Sequence, residues 1–111
     1  MAAVALMHQQ LGDVAQASAL YEEAIVLEQT IYGEGSSRRT QTMENLGILL
    51  AITRTDMDRS RELFETVLRI RMDSLGELHP DTVMALGNLG VQSELEGRPE
   101  RSVAIAERVL Q

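Results

Sequence analysis

The chain has 111 residues, a formal net charge of −7 and no cysteine. One domain's worth of chain follows from the length, and the missing cysteine excludes disulfides, thiolate zinc sites and thiol catalysis. The acidic balance opposes a broad nucleic-acid footprint, which needs clustered positive charge. All ten cations are arginine, so no lysine ammonium is available for a Schiff base or for gripping a carboxylate. No segment reaches the roughly 20 apolar residues that span a bilayer, and the apolar start Met1–Met7 lacks the positive flank of a signal peptide. An intracellular, cytoplasmic chain without membrane insertion is the expectation.

Six helices are predicted in chain order. The first runs from Met1 to about Leu11 and stops at Gly12-Asp13, a terminating glycine followed by a capping acid. The second spans about Val14 to Ile31, with Ala17, Leu20, Tyr21, Ala24, Leu27 and Ile31 on one face in steps of three and four. Gly33-Glu34-Gly35-Ser36-Ser37 breaks the chain, and Ser36 can cap the third helix, about Arg38 to Thr53. The fourth, about Asp58 to Ser74, repeats the face of the second with Ser60, Leu63, Phe64, Val67, Ile70 and Ser74. After Gly76, Pro80 suits the first turn of the fifth helix, where its missing N–H is harmless, and Asp81 favours the positive end of the dipole. That helix runs to about Glu96; Gly97 turns the chain and Pro99 opens the sixth.

The second, fourth and sixth helices are copies. Leu20-Tyr21-x-x-Ala24 returns forty-three positions later as Leu63-Phe64-x-x-Val67, and Ile105-Ala106-x-x-Val109 follows forty-two further on. Gly33-Glu34 returns as Gly76-Glu77, and Asn45-Leu46-Gly47 as Asn88-Leu89-Gly90. A repeated helical unit cannot bury its apolar face alone and must stack on its neighbours, which makes an extended surface rather than a catalytic pocket.

These features resemble tetratricopeptide repeats. Small residues at Ala5, Gly47 and Gly90 let paired helices approach, Ala17, Ser60 and Ser102 fill the matching small site, and Tyr21 and Phe64 supply the ring. The long spacing and the string Leu75-Gly76-Glu77-Leu78-His79-Pro80-Asp81-Thr82 are similar to the form found in kinesin light chain and its relatives. The resemblance implies an all-α, right-handed α-solenoid of antiparallel helix pairs, with repeats about 1–35, 36–78 and 79–111, and a function in protein or peptide binding. Three departures stand out. Arg54-Thr55 replaces a turn glycine with one extra residue before Asp58, the loop at Gly33–Ser37 lacks His-Pro, and Ala106 replaces the ring. No polar capping helix closes the array, so a fragment, or part of a larger assembly that associates through apolar ends such as Val4, Ile105 and Val109, is expected.

Catalytic constellations are absent. His8 reads as packing and His79 as a helix-entry cap, with no further ligand at metal spacing. The carboxylates Glu22, Glu23, Glu34, Glu44, Asp56, Asp58, Glu62 and Glu65 read as solvated surface. Arg59, Arg61, Arg69 and Arg71 join Glu62 and Glu65 in a salt-laced outer face, with Arg61–Glu65 and Glu65–Arg69 as pairs worth about 0.2–0.5 kcal/mol each. The glycine-rich loop follows a helix and lacks Gly-Lys-Ser/Thr, so it is not a phosphate loop. No cofactor and no metal is called for.

In the resembled family the first helix of each pair lines the concave surface. Matching positions give Leu6 and Gln9 from the first repeat, Gln41, Glu44, Asn45, Ile48 and Ile52 from the second, and Met84, Asn88, Val91, Glu94 and Leu95 from the third. Asn45 and Asn88 match asparagines that contact bound peptide backbones in family members; satisfying backbone groups between helices is the plain alternative for them. The list contains no Lys or Arg, so a carboxylate clamp is not expected. The sequence thus points to a non-enzymatic scaffold that either captures a peptide segment or packs as a structural subunit. An RNA-binding helical repeat is the alternative, opposed by the spacing and the charge.

Overall fold

The computed structural model describes residues 13–101 together with Ala104 and Glu107. Four helices are set out in full: α1 (Val14–Tyr32), α2 (Ser37–Thr53), α3 (Met57–Leu75) and α4 (Pro80–Leu95). They correspond to the second to fifth predicted helices, and helical residues resume at Pro99. No strand occurs among the described residues. The first predicted helix, and with it Val4, Ala5, Leu6, His8 and Gln9, lies outside them, as do Ser102, Ile105, Ala106 and Val109.

The helix ends follow local chemistry that recurs with the repeat. Asp13 and Asp56, forty-three apart, cap α1 and α3 by accepting the backbone N–H groups of Gln16 and Arg59, each at 3.0 Å. Ser36 Oγ accepts Arg39 N–H at 3.1 Å to cap α2, and His79 Nδ1 accepts Asp81 N–H at 3.1 Å to cap α4. The register runs through Asp56, so the Asp58 start gives way to one that preserves the spacing. Gly33 and Gly76 end α1 and α3 at φ 96° and 87°, with ψ near 163° and 162°, a region that is essentially glycine's alone.

Arg54 ends α2 in the left-handed conformation, φ 54°, the one positive-φ non-glycine among the described residues. It occupies the place of Gly97, forty-three positions on at φ 83°. Its turn is closed by Thr55 N–H to Leu50 C=O at 3.1 Å, matched by Arg98 N–H to Ser93 C=O at 2.8 Å. A side chain there costs about 1–2 kcal/mol relative to the right-handed region. Arg54 gains an offsetting contact, since Nη1 donates to the Leu95 carbonyl at 2.7 Å at the end of α4.

Three- and four-residue loops make successive helices antiparallel, consecutive helices pack on one another, and α2 also touches α4. The body measures 40 × 33 × 18 Å, thin in the direction that a two-layer stack leaves thin. Its core is repeat-related: Ala17, Tyr21, Ala24 and Ile25 of α1 are buried, and so are their counterparts Ser60, Phe64, Val67 and Leu68 of α3. They enclose Leu46, Leu49 and Leu50 of α2 and Ala85 and Leu89 of α4. Ser60 Oγ donates to the Gly47 carbonyl at 2.8 Å, and the Phe64 ring lies against Gly47 of its own pair.

Two readings of the apolar faces are corrected. Leu27 is 48% and Ile31 67% exposed, so the last two turns of α1 do not bury the inner face that the periodicity predicts. Arg71 is not on the outer face and Glu44 is not solvated; both are buried. Arg71 falls one turn beyond Val67, so it continues the stripe that points inward.

Candidate functional site

Two helical stripes left uncovered by the core run side by side. On α2, Gln41 and Ile52 are exposed and Asn45 and Ile48 half-buried; on α4, Met84 and Val91 are exposed and Asn88 and Leu95 half-buried. Each position on α2 has its counterpart on α4 forty-three residues later. Ile52 is 69%, Met84 57% and Val91 56% exposed, large apolar side chains held in water on one face. Ile48 and Leu95 pack their inner sides onto the core. Glu94 is exposed one turn from Val91, although its counterpart, Ala51, is buried. Of the twelve positions predicted for this surface, Leu6 and Gln9 lie outside the described residues.

Glu44 sits beneath the stripes. Arg71 Nη1 of α3 donates to Glu44 Oε2 at 2.7 Å, and Asn88 Nδ2 of α4 donates to the same oxygen at 3.0 Å. Arg71 Nη1 also reaches the Asp81 carbonyl at 3.1 Å, and Thr82 Oγ1 donates to the Arg71 carbonyl at 3.3 Å. A buried carboxylate is thereby paired and hydrogen-bonded, the condition under which burial of charge is tolerated. Asn88 is consequently engaged in a contact between helices, while Asn45 Oδ1 accepts Gln41 Nε2 at 3.2 Å along its own helix. Arg71 was missing from the sequence-derived site; its place on the buried stripe of α3 was the available signal.

Elsewhere the arginines tie repeats together. Arg59 of α3 forks onto Glu22 of α1 at 2.9 and 2.7 Å and also pairs with Glu62. The Glu22 hydrogen bond, with Glu62 beside it, pushes the Arg59 guanidinium further up against the opposing effect of burial. Arg61 pairs with Glu96 at 2.7 Å and with Glu65 at 3.8 Å; no Glu65–Arg69 pair forms among the described residues. No group of three His, Asp or Glu among the described residues has metal-site geometry, and no described helix is long and apolar enough to cross a membrane.

Paired helices, recurring caps and a core repeated at fixed spacing define an α-helical repeat array. Residues 1–37 match the tetratricopeptide repeat family, and the long repeat resembles the kinesin-light-chain-like form of that repeat. The fold is similar to the crystal structure of BtubC (BKLC) from P. vanneervenii, with a TM-score of 0.77 and 29% sequence identity. That match covers 97% of this chain and 44% of the other, so the chain spans less than half the length of BtubC. No curated protein matches the sequence.

Proposed function

We propose that this chain is a non-enzymatic interaction scaffold whose groove along α2 and α4 holds an extended segment of a protein partner. One observation carries the reading: Ile52, Met84 and Val91 stand exposed on repeat-matched stripes that also present the amides of Asn45 and Asn88. Exposed apolar surface rimmed by polar groups marks an interaction site, and a side-chain amide can both donate to and accept from a backbone. The surface offers no free cation among its described positions, which suits neutral or basic segments better than acidic ones.

The RNA-binding alternative draws little support. Arg59, Arg61, Arg71 and Arg101 are each paired with a carboxylate, so they do not form a basic stripe. The test is a displayed library of short random peptides screened against the unmodified chain, Met84→Asp and Val91→Asp. Both positions are exposed, so the fold should tolerate the change. The selected peptides should bind each variant at least about tenfold more weakly, a difference of about 1.4 kcal/mol. Unchanged affinity would place the peptide elsewhere.

A further inference from the structure

The two groove asparagines are engaged through opposite ends. A carboxylate only accepts, so the contact of Asn88 with Glu44 at 3.0 Å must use the Asn88 NH2 group. Asn88 Oδ1, the other end of the amide, accepts no hydrogen bond among the described residues. Asn45 is bound through its oxygen, to Gln41 at 3.2 Å, and keeps its NH2 group. The Arg71 contacts at Glu44 and at the Asp81 carbonyl, 2.7 and 3.1 Å, fix α4 relative to α2 as well. Both the location and the orientation of Asn88 are set from beneath the groove.

We infer that the buried Glu44–Arg71 pair is the positioning element of the groove, holding the Asn88 carbonyl oxygen ready for a backbone N–H of the partner while Asn45 offers its NH2 group to a backbone C=O. The inference rests on the groove reading above. It makes the ligand an extended segment recognised through its main chain, whose edge presents alternating N–H and C=O groups. Glu44 and Arg71 need not touch the ligand; they act through Asn88.

Two measurements test it. On the free chain, NMR should show the Asn88 NH2 protons exchanging with solvent more slowly than those of Asn45. That protection should disappear in Glu44→Leu/Arg71→Met, which removes both charges together so that neither is stranded. Equal exchange rates in the unmodified chain overturn the inference. On the complex, a peptide selected from the random library is resynthesised with single backbone esters, each of which deletes one N–H. One ester should weaken binding to the unmodified chain by about tenfold and have no effect with Asn88→Ala. In Glu44→Leu/Arg71→Met its effect should fall below about threefold. If Val91→Asp abolishes binding but no ester shows this dependence, the groove stands and the positioning role falls. If binding survives Val91→Asp, or the library gives no binder, the groove reading itself fails and takes the inference with it.

Discussion

Gly47 of α2 lies against the Phe64 ring of α3 so closely that a Cβ there would stand 2.8 Å from Cε1 and 3.0 Å from Cζ. No real Cβ sits that near an aromatic carbon, so Gly47→Ala must displace the ring or separate the helices. It should destabilise by about 1–3 kcal/mol, as overpacking does. Gly87, at the Glu44 position of the next repeat, has nothing within 4 Å of its built Cβ. Gly87→Ala should instead stabilise by about 0.5–1 kcal/mol, because a helix-interior glycine gives up more backbone entropy than alanine. Thermal melts of the two variants should move in opposite directions.

Removing the ring tests the same contact from the other side. Phe64 is buried in the core cluster, and Phe64→Ala should cost about 3–5 kcal/mol. Against a typical total of about 5–15 kcal/mol, denaturant unfolding should show a markedly lower midpoint. An unchanged midpoint would remove Phe64 from the core.

Alkaline pH should report on Tyr21. Burial raises its hydroxyl above the ordinary value, so the folded state holds the proton more tightly than the unfolded chain does. Its contribution is fully present below about pH 10, the unfolded tyrosine value, and is lost as pH rises toward the folded one. The chain contains no Lys and no Cys to mask the effect in this range. Stability measured from pH 8 to 11 should fall at the upper end, and Tyr21→Phe should remove most of the fall.

Arg71 and Glu44 should behave as a unit. Arg71→Ala strands a buried carboxylate and should destabilise by about 3–5 kcal/mol. Glu44→Leu/Arg71→Met strands nothing and should fall well short of that loss. Chemical denaturation of the two variants decides it; a double variant no better than the single would mean that the charges are not coupled.

Much of the fold was legible because helix ends are local. Asp13, Ser36 and His79 cap from within four residues of the groups they satisfy, and Gly33 and Gly76 end helices by their own backbone freedom. The buried small-and-ring pattern at Ala17, Tyr21, Ser60 and Phe64 was legible because it repeats. Glu44 and Arg71 were read as surface because a charged side chain is ordinarily solvated, and what overrides that here is a partner 27 residues away on another helix. Arg54 could not be read as a left-handed cap, since its offsetting bond reaches Leu95, 41 residues on. Leu27 and Ile31 show the reverse error: they keep the helical periodicity of the buried face and are nonetheless exposed, because periodicity alone does not say whether a neighbour covers a turn.

The measurement that bears most directly on the groove is site-specific photo-crosslinking in the native source. A photoreactive residue is placed at position 52 or 84 in the groove, or at the exposed positions 65 and 69 of α3. Groove positions should crosslink neighbouring parts of one extended segment of a partner protein, and positions 65 and 69 should not capture that segment. Equal capture of the segment from α3, or none from the groove, would contradict the account.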